Sequence, residues 1–170
     1  MNDNILIQKA KEGCNNSFDK LLKARGEKLY KVAFCYVKNE TLALDVVSEG
    51  TFKAYINLKK LKDNKYFDTW LMRIIINEAL SILKKQKRVI HFDDYKKDIK
   101  IDSYERIEEK IDLYKALDKL KKDEKEILVL KYFADLTFTD ISKAMNKSEN
   151  TIKTKHYRSL EKIKSILHGG

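Results

Sequence analysis

A helix-turn-helix pattern in the last third of the chain constrains the fold more than any other feature. Ile141 and Ile152 have the spacing of a small core shared by two helices. Asn146 lies between them, where the turn needs a left-handed backbone that Asn tolerates well. Ser148 is placed to cap the second helix through the amide of Thr151. We therefore expect two packed helices joined by a tight turn.

The second helix of this pair carries side chains suited to contacting DNA. Lysine and arginine bind phosphates, and amide, hydroxyl and guanidinium groups reach base edges in the major groove. The outward positions are Asn150, Lys153, Thr154, Tyr157 and Arg158. These positions predict a surface that contacts duplex DNA.

The rest of the chain also indicates an all-α fold. Its 170 residues include no proline and only five glycines, so the strongest helix breakers are scarce. Apolar residues recur at three- and four-residue steps, as on one face of a helix. In the first half the predicted helices are residues 4–12, capped by Asp3; 17–37, weakened at Gly26; 40–61; and 69–88, capped by Asp68.

Helical periodicity stops after Arg88 and returns at Ile107. Residues 89–106 mix charged and aromatic side chains without an apolar face, so we interpret them as a flexible linker. The sequence thus predicts two small helical domains, residues 1–88 and 107–168. The linker aromatics fit either local packing or docking on a partner; they are Phe92, Tyr95 and Tyr104.

Positive charge is concentrated in the first predicted domain. The whole chain has 36 Lys+Arg against 26 Asp+Glu, a net charge of +10. Residues 1–88 hold 18 basic and 10 acidic side chains, whereas residues 107–170 hold 14 and 11. This balance favours a polyanionic partner. We expect both domains to contact nucleic acid, or the first to contact another anionic surface.

Several functional classes lack support in the sequence. No apolar run approaches the ~20 residues of a membrane span, and the N-terminus has no signal-peptide pattern. Cys14 and Cys35 form no metal or redox motif. The histidines have no ligand spacing, and His156 is expected to face a phosphate or solvent. We therefore expect a cytoplasmic protein without cofactor, metal or small-molecule substrate, and not an enzyme.

Two further motifs, together with the helix-turn-helix, carry a family resemblance. Residues 66–77, Tyr-Phe-Asp-Thr-Trp-Leu-Met-Arg-Ile-Ile-Ile-Asn, resemble the aromatic-x-x-Trp-Leu-x-Arg-Ile-x-x-Asn signature of bacterial sigma factors of the extracytoplasmic-function class. Residues 45–49, Asp-Val-Val-Ser-Glu, resemble the Asp-x-x-Gln-Glu element of that family, with Ser48 replacing Gln. Residues 151–155 resemble its Thr-Val-Lys-Ser-Arg. The likeness covers residues 4–167.

The resemblance implies that the first domain binds RNA polymerase and the melted −10 promoter element. In the family the Asp-x-x-Gln-Glu helix contacts the polymerase β′ subunit, which here designates Asp45, Glu49 and Phe52. Unpaired DNA is captured by a pocket for a flipped base and a cationic track. The matching −10 positions are Lys62, Asn64, Lys65, Tyr66, Phe67, Asn77, Lys84 and Arg88.

Some of these positions also have a purely structural interpretation. Phe67 suits the helix core as well as a base pocket, and Trp70 suits the core better than a base contact. The basic run at residues 84–88 also suits a helix end, where the dipole favours cations. Lys84 stands where the family usually has Arg, which keeps the charge but removes the bidentate fork.

The resemblance further implies that the second domain reads the −35 element as duplex. The matching residues are Lys153, Thr154, Tyr157 and Arg158, with Asn150 and Lys155 beside them. The helix over residues 127–133 would fill the core and rest on the polymerase β subunit. Tethering the two domains raises the effective concentration of one promoter element for the other. Such sigma factors are generally inhibited by an anti-sigma factor, often membrane-bound, and one is expected here.

Two other functions are compatible with parts of the sequence. A conventional dimeric helix-turn-helix regulator would bind two half-sites about one helical turn apart. The sequence shows no heptad or ligand-pocket signature that would supply dimerisation. An enzyme acting on nucleic acid would need an acidic metal cluster, which the sequence also lacks. The sigma-factor hypothesis predicts that specific DNA binding requires core polymerase, whereas the regulator would bind DNA alone as a stable dimer.

Overall fold

The computed structural model describes residues 2–89 and 107–169, with side chains described for residues 2–87 and 110–169. The predicted linker therefore lies outside the described residues, apart from the backbone of Val89. All regular secondary structure in the described ranges is helical, which confirms the all-α fold. No helix within these ranges is long and apolar enough to cross a membrane. The chain divides after Arg88 into two compact units.

Helices make up the first unit over the residues that the structure describes. The α-helices are α1 Asp3–Lys11, α2 Asn15–Lys23, α3 Gly26–Val37, α4 Glu40–Asn57 and α5 Phe67–Val89. Short 3-10 helices, Leu58–Lys60 and Asn64–Tyr66, connect α4 to α5. Asn39 caps α4, since its side-chain oxygen accepts a hydrogen bond of 2.9 Å from the Leu42 amide.

The structure divides one predicted helix of the first unit and changes two predicted caps. The helix over residues 17–37, expected to be weak at Gly26, is divided at residues 24–25 into α2 and α3. The Arg25 side chain donates there to the Leu21 carbonyl oxygen at 3.0 Å. Periodicity hides this break, since Leu21 and Leu29 on either side of it enter the same core. The helix caps also differ. Asn2 rather than Asp3 caps α1, and Asp68 lies inside α5, where it pairs with Arg25.

The core of the first unit lies where α4 and α5 approach closely. A Cβ added at Gly50 would lie 2.6 Å from the Ile75 Cδ1 atom, so glycine permits this contact. Trp70 is only partly buried, and its ring centroid lies 6.1 Å from that of Phe67. The fully buried side chains include Leu21, Leu29, Val32, Val46, Ala54, Leu71 and Ile75.

The second unit contains the predicted helix-turn-helix. Its helices are α6 Ile107–Asp118, α7 Lys122–Tyr132, α8 Phe138–Met145 and α9 Glu149–His168. Asn146 has φ 51° and ψ 47°, and Ser148 accepts a 3.2 Å hydrogen bond from the Thr151 amide. Ile141 and Ile152 are both fully buried. The turn, the cap and the shared core are therefore confirmed.

Helices α6, α7 and α9 of the second unit contribute side chains to one apolar cluster. Ion pairs also join the start of α7 to α9: Asp123 binds Lys155, and Glu124 binds Lys162 at 2.5 Å. These contacts fix α9 against the rest of the unit. The buried cluster consists of Ala116, Leu117, Leu120, Leu128 and Ile163.

Candidate nucleic-acid and partner interfaces

An open cavity of about 770 Å³ lies beside the loop between α4 and α5 in the first unit. Loop residues 62–65 form one side of it, and α1 forms the opposite side. Side-chain amides, carboxylates and ammonium groups dominate the lining, so the cavity offers both donors and acceptors. Its lining residues include Asn4, Gln8, Lys11, Arg25, Lys62, Asn64 and Lys65. Within the described ranges, no group of three or more His, Cys, Asp or Glu side chains could hold a metal ion.

The predicted −10 residues differ in how they meet this cavity. Lys62 and Lys65 are exposed at its rim, and the Lys65 ammonium lies 5.7 Å from the centroid of the half-buried Tyr66 ring. Asn64 is held by side chains of α1. Phe67 is only 2 % exposed, so its ring forms part of the wall and does not project into solvent.

Arg25 organises the floor of the cavity, although the sequence pattern did not identify it. Its side chain donates to Asp3 at 2.6 Å and to Asp68, and its guanidinium carbon lies 5.1 Å from the Phe67 ring centroid. Burial alone would lower the pKa of Arg25, but the hydrogen bonds to Asp68 and Asp3 outweigh it and raise the pKa. Its place between two helices gives no periodic signal.

Helix α5 presents the remaining predicted −10 residues. Asn77 and Lys84 are exposed, as a surface that meets duplex DNA requires. The side chain of Arg88 lies outside the described residues. Between these positions Glu78 faces the other way: it is 5 % exposed and pairs with Lys53 of α4. This burial of Glu78 leaves the outer face of α5 without a competing carboxylate at that point.

The three predicted polymerase-binding residues lie on one exposed surface of α4. Asp45 and Glu49 are exposed, and the Phe52 side chain is 59 % exposed. Neighbouring large apolar side chains that are exposed to solvent often mark a surface that binds another protein. Here Ile56 is also 59 % exposed. We call the set Leu44, Asp45, Ser48, Glu49, Phe52 and Ile56 the α4 surface.

A groove of about 400 Å³ continues the α4 surface towards α2. Phe18 and Leu22 line it from α2, and Phe52 and Tyr55 line it from α4. The Phe18 and Tyr55 ring centroids are 5.3 Å apart, and the Tyr55 hydroxyl donates to the Asn15 side chain. These contacts hold the groove open beside Phe52.

Most of the predicted −35 residues are free to meet a duplex. Asn150, Thr154, Tyr157 and Arg158 are exposed on α9, and Tyr157 is 59 % exposed. Lys153 is half-buried and forms a 3.3 Å ion pair with Glu149, one turn earlier. Since pairs of this kind are weak at a surface, Lys153 can exchange Glu149 for a phosphate.

Lys155 differs from the exposed residues of this face. Its ammonium binds Asp123 of α7, and the hydrogen bond to Asp123 raises the pKa of Lys155. The same bond, together with the nearby Lys147, lowers the pKa of Asp123 although partial burial opposes this. Lys155 is partly exposed and paired with Asp123 of α7, so its predicted contact with DNA stays a prediction.

His156 is placed differently from the expectation. It is 3 % exposed, and its Nε2 lies 2.7 Å from the Tyr132 hydroxyl. Its ring lies edge-on to Phe138 and Tyr157, at centroid distances of 5.0 and 4.8 Å. Burial lowers the pKa of His156, and the positive charge of Lys131 lowers it further. The four-residue step from the buried Ile152 is the sequence signal that places it in the core.

Comparison with known proteins agrees with this geometry. The family model for sigma-70 region 2 matches residues 21–89, and that for sigma-70 region 4 matches residues 110–163. RNA polymerase sigma factor SigV of Bacillus subtilis (strain 168) is 33% identical over 138 residues, covering 81% of this chain and 83% of SigV. ECF RNA polymerase sigma factor SigW of the same organism is 24% identical over 181 residues, covering 95% and 94%.

A solved structure has the same fold. The sigma factor RpoE from Bartonella quintana, in complex with the anti-sigma factor NepR, superposes with a TM-score of 0.71 at 20% identity, covering 88% of this chain and 96% of that one. The first unit matches sigma-70 region 2 and the second matches sigma-70 region 4, which together define a transcription initiation factor. The chain belongs to the sigma-70 family, in its extracytoplasmic-function class. It is an alternative sigma factor that directs promoter-specific initiation.

Proposed function

We propose that the first unit captures the unpaired −10 element while the second reads the −35 element as duplex, both on core RNA polymerase. The observation that carries this proposal is that the two units present two different kinds of surface. One is a polar cavity with lysines at its rim, and the other is an exposed helix face bearing Arg158 and Tyr157. A cavity suits an unstacked base, whereas a helix face suits a major groove.

The −10 strand would meet three kinds of group at the cavity. Lys62 and Lys65 at the rim attract the phosphates, and the side-chain amide of Gln8 can pair with a base edge. Tyr66 adds an aromatic face at the edge of the loop. Asn77 and Lys84, followed by Arg88, extend the track along α5 towards duplex DNA.

The −35 duplex would lie on the exposed face of α9. Arg158 and Lys153 supply charge, and Asn150, Thr154 and Tyr157 supply groups for base edges and the thymine methyl. Lys155 acts indirectly, since its bond to Asp123 fixes the helix that carries this face.

Core polymerase would dock on the α4 surface. Its β′ subunit would place basic side chains against Asp45 and Glu49 and an apolar pocket over Phe52. The second unit would rest on the β subunit. In this arrangement the protein is a non-enzymatic specificity subunit that needs no cofactor and no small-molecule substrate. It would act in the cytoplasm, where bacterial polymerase and promoter DNA are found.

An anti-sigma factor would complete the system by covering these surfaces. The support is the sigma factor RpoE, which has the same fold and was solved with its anti-sigma factor NepR. A membrane-bound partner would also sequester the protein at the membrane. Co-purification with such a partner, together with loss of polymerase binding, is the expected outcome.

Run-off transcription tests the central proposal. Purified core polymerase, with and without the protein, is given a library of upstream sequences. We expect defined start sites that appear only when both are present, with fixed motifs at −35 and −10. Tight sequence-specific binding to a palindromic duplex by the free protein, together with a stable dimer on sizing, would instead support the conventional regulator.

A further inference from the structure

The loop between α4 and α5 is tied to α1 by side-chain hydrogen bonds. The Lys11 ammonium donates to the Leu61 carbonyl oxygen at 2.7 Å and to the Asn64 Oδ1 at 2.6 Å. The Asn64 amide in turn donates to the Asn4 Oδ1 at 2.7 Å. These bonds connect positions that are 50 to 60 residues apart in the chain. We call Lys11, Asn4 and Asn64 the loop clamp.

A second tie holds the other end of α1. Arg25 bonds both Asp3, in the first turn of α1, and Asp68, in the first turn of α5. Both ends of α1 are thus attached near the loop over residues 61–66. Lys11 binds the loop itself, and Arg25 links Asp3 to Asp68, just after the loop. Because hydrogen bonds from charged donors are about twice as strong as neutral ones, Lys11 and Arg25 dominate this attachment.

Lys11 differs from the other two lysines that line the cavity. It is half-buried, and both of its hydrogen-bond acceptors belong to the loop. Lys62 and Lys65, by contrast, are exposed on the loop itself. An ammonium held by two loop oxygens sets the shape of the loop, whereas an exposed ammonium attracts a phosphate.

We propose that α1, through the loop clamp, is the positioning element that gives the cavity its selectivity for a base. This inference rests on the proposed function of the cavity in capturing the −10 strand. Lys11 is a positioning residue, because it acts through Leu61 and Asn64. Selection of one base depends on donors and acceptors that are fixed before binding. Releasing the loop therefore removes selectivity, while the attraction of the lysines for phosphates persists.

The test compares Lys11→Met with Lys9→Met in the full chain assembled with core polymerase. Lys9 lies on the same helix and is exposed, so its replacement removes the same charge without touching the loop. Forked promoter DNA carrying each of the four bases at each −10 position is titrated. We expect Lys11→Met to reduce the affinity ratio of best to worst base about fivefold to tenfold. We expect Lys9→Met to keep the wild-type ratio.

Salt dependence separates positioning from direct contact, since Lys11 also lines the cavity. Loss of a phosphate contact would lower the slope of log affinity against log salt by about 0.7 and weaken all sequences equally. We expect the slope of Lys11→Met to match that of Lys9→Met. A uniform weakening with a smaller slope, or an unchanged base ratio, would overturn the inference.

Two further variants keep the inference testable if Lys11→Met unfolds. Asn4→Ala removes only the last bond of the clamp from an exposed side chain, and should lower the same ratio by a smaller factor. In Lys11→Met/Asn64→Ala, the combined loss should be smaller than the product of the single losses, because the residues share a bond. Independent losses would contradict the clamp. If the wild-type complex shows no base preference at −10, the proposed function of the cavity fails as well.

Discussion

The two surfaces proposed to bind DNA are built in different ways. The cavity of the first unit is concave and combines α1, Arg25 and the 61–66 loop, which are distant in sequence. The reading face of the second unit is one side of a single helix, α9. A concave site exists only when several elements hold one another, whereas a helix face exists wherever its helix forms. The two sites should therefore respond differently to mutation.

Each unit nevertheless divides its cations into two groups. In the first unit Arg25 and Lys11 bind protein oxygens, and Lys62 and Lys65 remain exposed. In the second unit Lys155 and Lys162 bind carboxylates of α7, and Arg158 remains exposed. The paired cations shape the surface, and the exposed ones provide its charge. The number of basic side chains alone therefore overstates the charge available to a polyanion.

The largest expected effect is on the first unit and follows replacement of Arg25. Arg25→Met should lower the free energy of unfolding of this unit by about 2 kcal/mol, because a buried arginine loses bonds to Asp3 and Asp68. Both carboxylates are about half exposed and can be hydrated, which limits the cost. Urea unfolding measures it. Arg25→Lys is the matched control that keeps the charge, and an unchanged midpoint for Arg25→Met would show that the network is dispensable.

Replacement of Phe52 tests the α4 surface, which is formed by the residues of a single helix. Phe52→Ala should weaken core polymerase binding roughly tenfold to thirtyfold, since exposed aromatic anchors dominate such interfaces. Its unfolding midpoint should stay unchanged because the ring is 59 % exposed. Fluorescence titration with core polymerase gives the affinity. Ile5→Ala, which shortens another exposed apolar side chain, should leave the affinity unaltered; equal losses would mean that α4 is not the docking surface.

Arg158 and Lys155 sharpen the distinction between reading and supporting cations. Arg158→Ala should weaken holoenzyme binding to the −35 duplex about tenfold without changing stability. Lys155→Met should destabilise the second unit by about 1 kcal/mol, since Asp123 loses its closest cation in a partly exposed pair. Duplex binding and urea unfolding are measured on both variants. Lys155 would be a reading residue if its replacement gave the pattern expected for Arg158.

The smallest expected effect is the pH dependence of the second unit. The pKa of His156 is lowered by burial and by Lys131, so the folded unit favours the neutral ring. As pH falls through about 6.5 the unfolded chain takes up a proton more readily, and stability decreases. We expect a loss of less than about 1 kcal/mol between pH 7 and pH 5.5. Asp123 and Glu124, whose pKa values are lowered, affect stability only at lower pH.

Urea unfolding at several pH values tests this expectation. His156→Gln should flatten the profile between pH 7 and pH 5.5, although it also lowers stability at every pH. His168→Gln is the control, because His168 is exposed near the C-terminus. The groups facing His156 are Lys131 and Tyr132 of α7, Phe138 of α8 and Tyr157 of α9. A profile unchanged by His156→Gln would contradict the role of the ring.

Residues close in sequence were easier to interpret than residues that meet only in the fold. The cap at Ser148 and the turn at Asn146 follow from local backbone preferences, and the structure confirms them. The Trp-Leu signature and the helix-turn-helix also identified the family. Gly26 indicated the weak point of the helix over residues 17–37, although the apolar pattern continues across the break.

By itself, the sequence determined the helices, the turn of the helix-turn-helix and the residue types on the reading face. These depend on side chains within about four positions of each other, which is the reach of a helical turn. Only the tertiary structure decided that Lys155 supports the helix and that Lys11 shapes the loop. Their acceptors, Asp123 and Asn64, lie 32 and 53 residues away. A cationic side chain pairs with whichever oxygen atom lies close to it in the folded unit. That proximity depends on the packing of the whole unit.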